Sequence, residues 1–311
     1  MRNFVVRRLV FAILSVIVAT FVILALSRAA GDPLLLYATS GYGLTDEAAE
    51  QIRHDLGLDR NVTVQYALWL GNALRGDLGT TLRDRQDVTK RVMEKLPNTL
   101  QLAGVSWILA TIVGIPLGVL SAVKRTSAPD YLGRVFAIFG QSVPQFWLGL
   151  VFVLIFAIQL QWLPPGTRGS SIWDIKYIVL PAVTLGLPAM AGYMRLTRTA
   201  MLEVLDSEYI RLARAKGVGN NVVIWKHAFK NALIQPLTAS TLILTGFLTG
   251  SVVVEQIFIW PGMGQMAITA VNNNDFPLLQ GTVFFFTILY VAMTFLTDLL
   301  YALIDPRIRY N

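Results

Sequence analysis

Apolar residues in this chain gather into six runs, each near the roughly 20 residues needed to cross about 30 Å of hydrocarbon. They extend from about Leu9 to Leu26, Thr99 to Val123, Val135 to Leu160, Tyr177 to Met194, Ala232 to Val254 and Leu278 to Ile304. The pattern predicts an all-α, polytopic membrane protein with six transmembrane helices. The first run is longer than the 7–15 apolar residues usual in a cleaved signal, so a retained helix is expected.

Basic residues set the expected orientation through the positive-inside rule. With the N-terminus inside, the internal segments hold Arg2, Arg7, Arg8, Lys124, Arg125, Arg134, Arg195, Arg198, Arg211, Arg214, Lys216, Lys226, Lys230, Arg307 and Arg309. The short outer loops hold Arg168 and Lys176. Six crossings then place both the N- and C-termini in the cytoplasm.

Residues 1–97 read as the first transmembrane helix plus an extracytoplasmic cap, and 98–311 as a five-helix core with a cytoplasmic loop at about 195–230. The cap segment carries eight basic and ten acidic residues, which does not disturb the topology because long translocated segments escape the charge rule. Thr45, Glu47 and Glu50 before Ile52 and Leu56, with Gly57 as a stop, predict one helix in it. Tyr66, Leu70 and Leu74 predict a second, ending at Gly76.

Composition removes several function classes. At 54% hydrophobic and 14% charged, the chain is far from the roughly 25% charged residues of soluble domains. The net charge of +7 sits beside apolar runs, so lipid rather than nucleic acid is its expected partner. There is no cysteine and only two histidines, His54 and His227, so no metal centre is expected. No Gly-x-x-x-x-Gly-Lys-Ser/Thr loop, Gly-x-Ser-x-Gly elbow or His-Glu-x-x-His helix occurs, and the chain is expected neither to bind nucleotide nor to catalyse a reaction.

Prolines and glycines interrupt the runs at Gly114, Pro116, Gly118, Gly140, Pro144, Pro181, Gly186 and Pro188. They serve either as kinks and close helix contacts or as the lining of a pathway, since broken backbone at membrane depth needs protein or water around it. Gln141, Ser142, Pro144 and Gln145 are the pathway candidates. Asp298 lies well inside a run, where a charge is costly, and Glu255 lies at the outer end of the fifth. An ion relay would call for several such groups, so Asp298 is expected to bond within the bundle.

The polar island Glu208-Tyr-Ile-Arg-Leu-Ala-Arg-Ala-Lys-Gly217 stands out between apolar spans. Glu203, Asp206 and Glu208 precede Arg211, Arg214 and Lys216, an order that complements a helix dipole. Tyr209, Leu212 and Ala213 recur at helical spacing and form an apolar face. Gly217 and Gly219 permit a sharp return. On the residues alone, such a helix either docks a protein or lies on anionic lipid.

From Glu208 through Pro236, this stretch with His227-Ala-Phe-Lys-Asn-Ala-Leu-Ile-Gln-Pro236 resembles the EAA loop of ABC importer permeases, in the dipeptide/oligopeptide/nickel branch. Gly76-Asp-Leu-Gly-Thr-Thr-Leu82, Leu96-Pro-Asn-Thr99, Val254-Glu-Gln-Ile-Phe-Ile-Trp-Pro-Gly-Met-Gly264 and Asp275-Phe-Pro-Leu-Leu-Gln-Gly281 extend the similarity over nearly the whole chain. Arg211 and Leu212 stand where the broad family often has glutamate and alanine, and Asn231 near a common proline; both departures are usual in this branch.

The resemblance implies a type I ABC importer permease fold in a bacterial or archaeal cytoplasmic membrane. It implies a coupling helix gripped by an ATPase, carried by Glu208, Tyr209, Arg211, Ala213, Ala215, Lys216 and Gly217. Glu255, Trp260, Pro261, Gly262, Gly264 and Asp275 would form an extracytoplasmic docking face or gate. The implied partners are a second, homologous permease, two ATP-binding subunits holding ATP and Mg, and a solute-binding protein. The implied solute is a di- or oligopeptide, with glutathione, a nickel chelate or an oligosaccharide also within the branch. The rival from another class is a stand-alone secondary transporter or channel; the scarcity of buried carboxylates and of an internal repeat argues against it.

Overall fold

A computed structural model describes residues 2–29, 50, 53–54, 60–171 and 174–304, with side chains over 6–29, 50, 53–54, 60–171 and 174–297. Among these residues the chain is helical, and Thr80 and Asp87 form an isolated antiparallel bridge. Five helices are long and apolar enough to span a membrane, or six if one bent pair counts as a single span. Of the helix expected near 45–57 only Glu50, Arg53 and His54 are described, all three helical, and Arg307 and Arg309 lie outside the described residues.

The chain divides into two compact units, Met1–Thr99 with Pro261–Asn311, and Leu100–Trp260. In the first, α1 (Arg2–Ala29) packs along the last helix, and α2 (Val62–Ala73) packs on α1. Tyr66 anchors α2: its hydroxyl meets Thr20 Oγ1 at 2.9 Å and donates to the Ile17 carbonyl at 2.9 Å. Gly76, with φ +89°, turns the chain after α2.

α3 (Val88–Val123) begins eleven residues before the expected start and passes through Pro97. Its early turns bury Val88 and Val92 in a cluster with Leu78, Met263, Met266, Leu278 and Phe284. That burial offsets the backbone bond lost at the proline.

In the second unit, the third apolar run is not one straight helix. α4 (Ala128–Ser142) and α5 (Gln145–Phe152), which continues in a wider turn over Val153–Gln159, meet at 105°. Pro144 explains the break, because a residue before proline avoids the helical region; Val143 is extended at φ −77°, ψ 126°.

α6 (Ile175–Leu205) packs against α4, α5 and α8 (Ile234–Ile257). It continues eleven residues past the expected Met194 end. Between them lie α7 (Glu208–Ala215) and the short turns Asn220–Val222, Val223–Phe229 and Lys230–Ala232. Two further helices belong to the first unit: α9 (Met263–Asn272), which falls where only a loop was expected, and α10 (Phe276–Ile304).

Glycines bring α3 and α6 together. A Cβ on Gly114 would lie 2.6 Å from the Met190 carbonyl oxygen, and one on Gly118 2.6 Å from that of Met194. A Cβ on Gly140 of α4 would lie 2.7 Å from Ala191 Cβ. These positions serve close helix approach of the small-residue kind. Gly118→Leu is therefore expected to force α3 off α6 and leave little folded protein in mild detergent, measured by size-exclusion yield, whereas Gly104→Leu, in open space, leaves the yield unchanged.

Candidate functional site

The polar island becomes α7. Ser207 is its N-cap in extended backbone, φ −73° and ψ 153°. At the other end Gly217 takes φ +77°. Its N–H donates to the Arg214 carbonyl at 2.9 Å, and the Val218 N–H to that of Ala213 at 3.2 Å. This is the paired closure of a Schellman motif, which needs a left-handed residue that only glycine supplies without strain.

Ile210 seats the helix. It is fully buried among Val119 and Ala122 of α3, Ala200 and Met201 of α6, and Val223, Ile224 and Ala228 of the following turns. The opposite face stays open: Tyr209 is 46% and Leu212 56% exposed, and Glu208, Arg211, Ala215, Lys216 and Gly217 are exposed too. Ala213 is half-buried. Arg211 closes on Glu208 at 2.8 Å. At 100° per residue, Leu212 and Tyr209 share their outward arc with Glu208 and Lys216. Arg211 and Arg214 fall on the far side of Glu208 from that arc, so α7 is strongly amphipathic and its open surface suits a protein pocket or an anionic lipid surface alike. Trp225, 56% exposed, extends the apolar surface beside α7.

A buried clasp lies beneath this seat. Asp130 of α4 is 0% exposed; its Oδ1 accepts from Arg198 Nε of α6 at 2.7 Å and from Ser121 Oγ of α3 at 2.7 Å. Its Oδ2 accepts from Arg198 Nη2 at 3.1 Å and from the Thr126 N–H at 3.0 Å. Arg134 stands 3.5 Å away. The fork geometry is that of a bidentate arginine–carboxylate pair. Three helices are thus joined a turn from where Ile210 inserts. Neither Asp130 nor Ile210 is singled out by the sequence reading. The only local signal for Asp130 is Ser127-Ala-Pro-Asp130, a helix-start pattern.

Among the pathway candidates, Gln141 and Ser142 line a cavity of about 390 Å³ between α4 and α6, together with Arg134, Arg195 and Arg198. Gln145 is not on that wall; it points its amide toward the Leu185 carbonyl at 3.5 Å. Pro144 makes the bend. Asp298 falls in α10, with its side chain outside the described residues.

The residues expected to dock or gate are mostly buried and hold backbone in shape. Glu255, 0% exposed, accepts from Ser251 Oγ at 3.0 Å. Trp260 is 1% exposed and its N–H donates to the Glu255 carbonyl at 2.8 Å. Pro261 accepts from Asn98 Nδ2 at 2.8 Å, while Gly262 and Gly264 are buried at the start of α9. Asp275 starts α10: its Oδ1 accepts the Leu278 N–H and its Oδ2 the Leu82 N–H, both at 3.2 Å. Burial pushes this carboxyl above its ordinary pKa, against the pull of those backbone donors.

Comparison with known proteins fits this architecture. Residues 114–310 match the family described as binding-protein-dependent transport system inner membrane component, and residues 1–103 match the family of its N-terminal part. The oligopeptide transport system permease protein AppB of Bacillus subtilis is 40% identical, over all of both chains. The glutathione transport system permease proteins GsiC of Pectobacterium atrosepticum and of Escherichia coli O6:H1 are 38% and 36% identical, again over both full lengths. In fold, the chain is similar to an inward-facing crystal form of the MetNI methionine ABC transporter, with a TM-score of 0.57 at 19% identity, covering 69% of this chain and 96% of that one. Its fold and its matches on both parts place the chain in one family: it belongs to the inner-membrane components of binding-protein-dependent transport systems, the permease subunits of ABC importers.

Proposed function

We propose that the chain imports short peptides into the cytoplasm, with α7 as the coupling helix through which two ATP-binding subunits drive it. ATP and Mg act on those subunits; the chain itself is a non-catalytic conduit. A second, homologous permease completes the membrane channel, and an extracytoplasmic binding protein delivers the solute. The names of the full-length relatives support a peptide or glutathione solute. The observation that carries the coupling role is a helix held by one buried side chain while its other face is fully presented.

Closure of the ATPase pair on nucleotide would draw α7 inward. Because Ile210 sits against α3 and α6, and the Asp130 clasp joins both to α4, these helices would move with it. Alternating access requires two discrete packings. Pro181 and Pro188 within α6, and the bend at Pro144, are the places where those packings can differ. The turn around Trp260 and Pro261 would meet the binding protein through its backbone shape and the exposed Ile259 side chain, since Trp260 points inward.

Gly217→Val tests the coupling assignment. A Cβ there meets nothing within 4 Å, so the variant should assemble, but a β-branched residue strains the left-handed turn by about 1–2 kcal/mol and loosens the end of α7. Solute-stimulated ATPase activity and uptake are expected to drop at least tenfold with subunit stoichiometry unchanged. Normal uptake by the variant would remove α7 from the coupling role.

A further inference from the structure

A cavity of about 520 Å³ lies wholly within the first unit, walled by α1, α2, the 77–85 segment and the start of α10. Two residues of its lining carry a donor with no acceptor among the described residues: Trp69 Nε1 and Gln280 Nε2. Gln280 is only 7% exposed, and a buried donor left unpaired is costly. An indole N–H can only donate. The Trp69 ring is held in place by Phe284, edge-on at 5.6 Å, and by Tyr66, stacked at 6.1 Å.

The charge on the wall has the same sense. Arg28, Arg60 and Arg85 line the cavity. Arg28 Nε donates to Gln65 Oε1 at 2.8 Å, and Gln65 Nε2 donates to the Arg60 carbonyl at 2.8 Å, which fixes this side of the wall. The carboxylate of Asp77 also lines it, but Oδ1 is taken by the Gly79 N–H at 2.8 Å in its own turn. Leu24, Leu68 and Phe276 supply apolar surface. Donors without acceptors, guanidinium groups and an apolar floor in a few hundred cubic ångströms describe a site for a small anion with an apolar part. The planar, two-oxygen carboxylate matches arginine and paired N–H donors best.

We propose that this cavity binds a small molecule through its carboxylate, with Trp69 and Gln280 donating to the carboxylate oxygens. In a peptide importer the natural occupant is the C-terminal carboxylate of a short peptide, and only that choice rests on the proposed function. It would give the permease a solute site of its own, apart from the cavity between α4 and α6.

The test uses the whole transporter in phosphatidylcholine nanodiscs, labelled with 5-fluorotryptophan, with the Trp69 ¹⁹F resonance assigned through Trp69→Phe. Alanylalanine should shift that resonance saturably, while its C-terminal amide should shift it at least tenfold more weakly. Gln280→Leu, and the near-isosteric Gln280→Glu that guards against a folding defect, should each weaken the response tenfold or more. A shift by butyrate without one by alanylalanine supports the carboxylate site and sinks the peptide occupant. Equal response to the amide, no response to either carboxylate, or a shift on moving to phosphatidylglycerol nanodiscs that alanylalanine cannot reverse would overturn the proposal, the last by assigning the site to a lipid phosphate.

Discussion

Replacing Tyr209 and Leu212 together by serine is expected to leave the purified permease folded and to abolish its grip on the ATP-binding subunits. Both side chains face outward, and exposed substitutions of this kind usually change stability by no more than about 0.5 kcal/mol. In a docked complex they would be the apolar contacts on α7. Burying a large apolar side chain contributes about 1.5–3 kcal/mol, so losing two costs roughly 3 kcal/mol or more, over a hundredfold in affinity. Ile210→Ala should do the reverse. It empties a fully buried position, at a cost of about 2–5 kcal/mol, so it lowers the melting temperature and loses coupling because the seat has gone. Thermal melts and ATPase pull-downs on the two variants separate a docking surface from a packing element. If the exposed pair melted early and the buried isoleucine did not, the assigned faces would be reversed.

The second large effect is expected at the Asp130 clasp. Asp130→Ala would leave the Arg198 guanidinium, 20% exposed, against Ser121 without its counter-charge. Removing one partner of a buried pair costs on the order of 3 kcal/mol. Uptake should also fall, because α4 no longer moves with α3 and α6. Replacing both partners by apolar residues, Asp130→Leu with Arg198→Met, should recover most of the lost stability, since no orphaned charge remains. A single variant as stable as wild type would remove the clasp from the account.

The six apolar runs were legible because spans of hydrocarbon length leave a direct mark on sequence. What escaped depends on partners far along the chain. Pro97 looks like a boundary, yet α3 passes through it, because Val88 and Val92 find Met263 and Leu278 to pack on. The third run reads as continuous, but a single proline bends it through 105°. Helix α9 is only ten residues long, and residues far back in the chain hold its start: Thr99 Oγ1 accepts the Met263 N–H at 2.8 Å, and Asn98 Nδ2 donates to the Pro261 carbonyl at 2.8 Å.

At the site, α7 could be read directly, since its charge order and terminal glycines are local features. Which face it presents could not. Ile210 is one apolar residue among several until Val223 and Ala228 return to cover it. Asp130 lies 68 residues from Arg198, a separation that leaves no local pattern. Gly114 and Gly118 fall between these cases: spacing of four puts them on one helix face, but the carbonyls they meet belong to α6.

The most direct measurement compares solute uptake into proteoliposomes holding this chain alone with uptake into those holding the full set of permease, ATP-binding and solute-binding partners. The account predicts uptake by the full set only with ATP inside the compartment that α7 faces, and none by the chain alone under any ion gradient. Solute moved by the chain alone, with no affinity for any ATP-binding subunit, would contradict it.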